Sequence, residues 1–210
     1  MNPPTQQPIR LETDRFILRP LDRADVTGRL VRWLHDDELL RYVELPAHPS
    51  TNDFLRFMRQ FDNVTNFLLG IFEKPDERLL GFYQVHTEPQ LGRASTEVMI
   101  GDRRHWGTNT VFETRTRLLD YLFDTLGLYR VYGTVHARNL PALFNYKALG
   151  FTCEGILRGH AVTADDEHAD VYFFGMLRDE WLGRGTAAGT EKTGNAAPDE
   201  QENAISSRPA

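Results

Sequence analysis

Val98-Met-Ile-Gly-Asp-Arg-Arg-His-Trp-Gly-Thr-Asn-Thr-Val-Phe-Glu113 runs from a β-rich segment through a polar turn into the start of an amphipathic helix. The first N–H groups of a helix have no partner inside it, and the macrodipole adds partial positive charge there. Such a junction therefore favours an anion such as a pyrophosphate. Gly107 would let a phosphate approach the backbone, and Thr108 and Thr110 add hydroxyl donors. The helix is read from Leu118, Leu119, Leu122, Phe123 and Leu126, which share one face, and from Gly127 as its stop. This spacing predicts a helix over about 109–126. A glycine before a helix is also common in ordinary turns, so the surrounding chain has to decide.

Upstream, Phe67–Phe72, Leu79–Val85 and Ser95–Ile100 are short β-rich runs separated by turn residues at Lys74–Asp76 and Pro89–Gly92, which predicts an antiparallel meander. Ile9–Arg19 alternates apolar and polar residues and reads as a first strand. Helical spacing follows over Ala24–Glu44 and Asn52–Phe61. Downstream, Tyr129–Val135 reads as a strand. Asn139 then caps a short helix with Pro141 in its first turn and Gly150 at its end, Phe151 opens a further strand, and Ala169–Leu177 is the last. The order predicts an α/β fold of the α+β kind, a mixed sheet with strand-helix-strand crossovers. The folded domain is expected over 9–182, after a flexible N-terminus at 1–8. Residues 183–210 hold Ile205 as their only large aliphatic side chain and read as a disordered tail.

The 210 residues are 40% hydrophobic and 26% charged, as in ordinary globular domains. A net charge of -6 argues against a dedicated nucleic-acid surface, which needs clustered Lys and Arg. No apolar run approaches the ~18 residues of a membrane span, and the N-terminus lacks the pattern of a signal peptide. Cys153 is the single cysteine, which excludes an internal disulfide, suits a reducing compartment and leads us to expect a small buried apolar residue. The expected location is cytoplasmic. The seven histidines form no close pair at ligand spacing, so no metal site is expected, and Asp165-Asp-Glu167 reads as a solvated turn.

Together with Leu11–Leu21, Trp33–Asp37 and Asn139–Phe151, the quoted loop resembles the GNAT superfamily of N-acetyltransferases, and within it the RimJ/RimL-like group. The four segments occur in the family's order and span about 11–151. The resemblance implies a central, mostly antiparallel sheet with a splayed parallel pair and about four helices. It also implies acetyl-CoA as co-substrate. Arg104, His105, Trp106, Gly107, Thr108, Asn109 and Thr110 then fall on the loop that wraps the pyrophosphate. Met99 and Ile100 fall where backbone groups hold the pantetheine, Asn139 on a coenzyme-side asparagine, and Tyr146 on the general acid. Asn109 and Thr108 depart from the family's usual Gly or Ala and Lys. Asn tolerates positive φ, so the turn can survive.

Catalysis of this kind needs a base, because an alkyl ammonium with pKa near 10.4 is mostly protonated at neutral pH. Glu97, two residues before Met99 and so on the same strand face, is the candidate. Tyr146 would protonate the departing thiolate, and a backbone N–H near Ile100 would meet the oxyanion. No Cys or Ser beside a base is apparent, so direct attack in a ternary complex is expected. The acceptor would be a primary amine, either a protein N-terminus or a small molecule, and acidic Asp36, Asp37, Glu38 and Glu44 could attract a cationic one. The resemblance also admits a homodimer. The second reading is a non-catalytic acyl-CoA-binding sensor of the same fold, which Asn109 would favour.

Overall fold

Residues 9–43, 48–162 and 167–187 are described by the computed structural model. The expected flexible N-terminus, Glu44, the first two residues of the Asp165–Glu167 turn and the tail beyond 187 lie outside them. One sheet of eight strands runs in the order β1-β2-β3-β4-β5-β6-β8-β7. Its members are β1 (Leu11–Glu12), β2 (Phe16–Pro20), β3 (Asn66–Glu73), β4 (Arg78–Glu88), β5 (Arg93–Ile100), β6 (Arg130–His136), β7 (Thr152–Val162) and β8 (His168–Leu177). All neighbours pair antiparallel except β5 and β6.

That parallel pair is short. Its registered partners are Arg93↔Arg130, Ala94↔Val131 and Ser95↔Tyr132, and beyond them the two strands diverge. β5 goes on to Ile100 against β4, and β6 goes on to His136 against β8. The sheet therefore opens in its middle.

Helices cover both faces. On one lie α4 (Thr110–Asp120) and α5 (Leu140–Ala148), with Trp181 of α6 (Arg178–Ala187). Leu118 and Leu119 of α4, and Leu122 just past its end, are fully buried there, each contributing about 1.5–3 kcal/mol of apolar burial. On the other face α1 (Gly28–Trp33), α2 (Asp37–Leu40) and α3 (Thr51–Met58) cover Leu68, Phe72, Phe82 and Met99 through Leu30, Leu34, Leu39 and Phe54.

The sequence expectations differ from the structure at five places, each with a local reason. Ile9–Arg19 is not one strand. The Thr13 amide donates to the Phe16 carbonyl and the Phe16 amide to the Thr13 hydroxyl, both at 2.9 Å, which closes a turn and folds β2 back on β1. Ala24–Glu44 is not one helix either, because Asp36 accepts from the Glu38 and Leu39 amides and restarts the chain as α2. The predicted long helix ends in a π-turn over Tyr121–Thr125. The tail expected from Gly183 begins inside α6, which Trp181 anchors by stacking on Phe123 at 6.3 Å and donating to Asp120 at 2.9 Å. Cys153 is exposed rather than buried, because it sits on the edge strand β7, where most side chains face solvent.

Candidate active site

Two residues in the left-handed region bend the chain between β5 and α4. Gly107 has φ 71° with open space where a Cβ would stand, and Asn109 has φ 60°, ψ 10°. Asn109 makes no side-chain cap, and the Glu113 amide is the first to bond back along the helix, to the Asn109 carbonyl at 2.9 Å. The amides ahead of it have no partner within the helix and sit at its positive end. The loop is thus shaped for an anion by its backbone.

Its side chains mostly brace it from within. The Thr108 hydroxyl donates to the His105 carbonyl at 2.9 Å and lies 2.9 Å from the Thr110 hydroxyl, which also meets His105 Nδ1 at 3.2 Å. The His105 ring turns inward, edge-on to Phe16 at 6.1 Å and 3.4 Å from Glu73. Arg104 is exposed and bonds to Asp102 at 2.9 Å, beside Arg29 at 2.5 Å and Arg78 at 2.8 Å on the same buried carboxylate. Glu113, the last residue of the quoted stretch, ties the loop to the first hairpin. It accepts from Thr13 at 2.6 Å and from Arg15 at 2.7 Å, and Arg15 also reaches the Thr108 carbonyl at 3.3 Å. Burial works to raise the Glu113 carboxyl, but the Thr13 hydroxyl and the Arg15 guanidinium outweigh it and hold it below its ordinary range.

The opening between β5 and β6 lies next to this loop. Tyr146 of α5 donates to the Thr96 carbonyl at 3.2 Å, and a Cβ at Gly133 of β6 would collide with its hydroxyl. The phenol therefore occupies the gap one residue past the last parallel pair. Its ring is 3% exposed, stacked on Phe174 at 5.0 Å and edge-on to Phe151 at 4.8 Å.

Backbone groups along a strand alternate sides. The Thr96 carbonyl accepts from Tyr146 and the Ile100 carbonyl from the Trp106 indole at 2.9 Å, while the Gly101 amide bonds β4 at Leu80. Thr96, Val98 and Ile100 thus turn their backbone to the gap, and Met99 turns its own toward β4. Met99 was expected to hold the pantetheine through its backbone. The backbone that faces the gap at this point is that of Val98, and the Met99 side chain is buried in the α1–α3 core.

Glu97 lies on the opposite sheet face from Tyr146, with Met99, and Gln84 donates to it at 3.5 Å. Toward β6 and β8 this face is only partly covered. Tyr132 stacks on Phe173 at 5.5 Å, and Tyr42, just past α2, lies over His136 at 4.9 Å. Burial, and then Arg138, push the His136 imidazole below its ordinary value. Asn139 caps α5 by accepting from the Ala142 amide at 3.2 Å, so its side chain serves the helix. Arg115 escaped the sequence reading. It falls on the buried stripe of α4 beside Leu118 and Leu119, is 2% exposed, and lies 4.5 Å over the Tyr146 ring. A charge on the core stripe of a helix was the available signal.

Residues 15–152 match the family described as "Acetyltransferase (GNAT) domain". The chain is 28% identical over 180 residues to an uncharacterized N-acetyltransferase, p20, of Bacillus licheniformis, covering 82% of this chain and 98% of that one. Its fold is similar to that of a spermidine N-acetyltransferase from Vibrio cholerae in complex with CoA and spermine, with TM-score 0.73, 20% identity and coverage of 81% and 99%. It is also similar to a ribosomal-protein-S5-alanine acetyltransferase from Vibrio fischeri, with TM-score 0.69, 15% identity and coverage of 82% and 98%.

Proposed function

Because the chain belongs to the GNAT family of acyl-CoA-dependent acetyltransferases, we propose that it transfers the acetyl group of acetyl-CoA to a primary amine by direct attack in a ternary complex. The observation that carries this reading is the division of the opened sheet. An acid, Tyr146, reaches the gap from one face, and a carboxylate, Glu97, stands on the other.

Amides at the start of α4 and in the Arg104–Thr110 loop bind the pyrophosphate. Val98 and Ile100 hold the pantetheine arm along the free side of β5, and the Ile100 N–H faces the carbonyl oxygen as it becomes an oxyanion. Glu97 takes a proton from the ammonium, directly or through water, as the nitrogen attacks the thioester carbon. The new C–N bond forms, the C–S bond breaks with its electron pair passing to sulfur, and Tyr146 supplies the proton that completes the thiol. The acceptor enters over β6 and β8, past Tyr42, Tyr132 and Phe173. The acceptor of this reading is a protein N-terminus or a small amine. We take the enzyme to be cytoplasmic.

Against the sensor reading, Asn109 keeps the left-handed turn that glycine usually supplies. The decisive assay follows thiol release from acetyl-CoA over a panel of peptides, polyamines and amino sugars. Turnover with one class identifies the acceptor, and thermal stabilisation by acetyl-CoA with no turnover on any amine would overturn the proposal. Tyr146→Phe is expected to lower kcat by 10²-fold or more, within the usual range of ~10²–10⁴ for acid–base groups, with acetyl-CoA affinity nearly unchanged in calorimetry. Wild-type turnover in that variant would remove Tyr146 from the mechanism.

A further inference from the structure

Among the described residues Arg115 is the largest fully buried side chain, and no carboxylate pairs with it. Its Nε has no hydrogen-bond partner, and neither has the buried Thr96 hydroxyl. The guanidinium carbon lies 4.5 Å from the Tyr146 ring centre and 5.8 Å from that of Tyr83. Tyr83 is a neutral neighbour, because burial pushes its phenol up, with Arg115 only partly offsetting this, and its hydroxyl is bonded to Thr114 at 3.0 Å.

Register places this cation. Tyr83 on β4 stands opposite Val98 on β5, and Gly133 on β6 stands opposite Phe174 on β8. Phe174, Tyr146, Arg115 and Tyr83 therefore form a row beneath the sheet that crosses under the gap between β5 and β6. Thr96, whose hydroxyl like Arg115 Nε lacks a hydrogen-bond partner, is the first β5 residue past the last parallel pair. A desolvated cation with no counter-charge is costly, and replacing a buried ion by an apolar residue of similar volume is often neutral or stabilising. Retaining it suits a site where negative charge arrives only when the gap is filled.

We propose that Arg115 is the electrostatic partner of the sulfur, meeting the negative charge that transfer releases when the C–S bond breaks. This rests on the acetyltransferase reading. The electron pair of that bond passes to sulfur as thiolate, the guanidinium beneath the gap stabilises it without itself losing a proton, and Tyr146 supplies the proton that yields the free thiol. Catalysis by pre-placed charge of this kind acts where charge develops in the transition state.

The test uses the full chain and CoA itself. Ultraviolet absorbance follows ionisation of the bound CoA thiol against pH in wild type, Arg115→Lys and Arg115→Leu. In wild type the bound thiol is expected to ionise at least one pH unit lower than in Arg115→Leu, as an opposite charge within ~4–6 Å typically produces, with Arg115→Lys between. S-methyl-CoA, which cannot ionise, should bind wild type and Arg115→Leu alike in calorimetry, and Arg115→Leu should lose at least tenfold in kcat while melting at the wild-type temperature or above. Arg115→Met serves in the same measurements if the leucine variant does not fold. Equal thiol ionisation in wild type and variant, or equal weakening of S-methyl-CoA and CoA, would overturn the proposal and leave Arg115 a packing residue. Failure of the wild type to bind CoA at all would instead overturn the acetyltransferase reading on which it stands.

Discussion

Asn109 carries the turn into α4 at φ 60°, a conformation that L-residues other than Asn and Asp adopt at a cost of about 1–2 kcal/mol. Asn109→Gly should therefore change stability by less than about 0.5 kcal/mol in urea unfolding and leave acetyl-CoA binding intact. Asn109→Val, β-branched, should lose about 1–2 kcal/mol and on the order of tenfold in acetyl-CoA affinity, because the helix-start amides are displaced. Glu113 makes a pH-dependent contribution of defined sign. Its carboxyl is held below its ordinary 4.5 in the fold, so its stabilisation is fully present above that pH and is lost as the pH falls through the lower folded value. Urea unfolding free energies should drop on acidification below about pH 4.5, and Glu113→Gln should flatten that part of the profile. An unchanged profile in the variant would mean that the tie to Thr13 and Arg15 contributes nothing.

Among the elements, α4 does two jobs along its length. Its first turn leaves amides without partners inside the helix, and its buried stripe of Thr114, Arg115, Leu118 and Leu119 holds that turn against the sheet. Leu118→Ala should cost about 2–5 kcal/mol in urea unfolding, the range for truncating a buried leucine. The period of this stripe was legible in the sequence, as were the meander strands and the Asn139 cap of α5. The first strand and the helix over Ala24–Glu44 were misread because Thr13 and Asp36 close local hydrogen bonds that compete with the longer pattern. For α6, the Gly-rich composition after Trp181 hid a helix whose stability comes from docking on Phe123 and Asp120.

Across the whole molecule, the sheet joins two apolar cores, one under α4 to α6 and one under α1 to α3. Strands β3, β4 and β5 carry side chains to both, so neither core should melt alone. Far-ultraviolet circular dichroism and tryptophan fluorescence are expected to report coincident unfolding transitions, with Trp33 and Trp181 lying in opposite cores. Acetyl-CoA, binding only the folded state, should add about 2.7 kcal/mol at a hundredfold excess over its Kd. Separate transitions for the two probes would mean that the gap between β5 and β6 divides the molecule into independent units.

The sequence by itself determined the element types over most of the chain, the mixed sheet and the loop from Arg104 to Thr110, because side-chain period and turn chemistry act over a few residues. It also placed Tyr146 and Glu97 on the elements they occupy. Tertiary structure alone decided which backbone groups face the gap, turning Val98 and Ile100 toward it and Met99 away, since strand alternation has no absolute phase until a neighbour is paired. It alone brought Arg115 beneath Tyr146 and set Tyr146 and Glu97 on opposite faces of the sheet. Those relations join β4, β5, β6, β8, α4 and α5, and only the divergence of two parallel strands after Ser95 and Tyr132 brings them to one place.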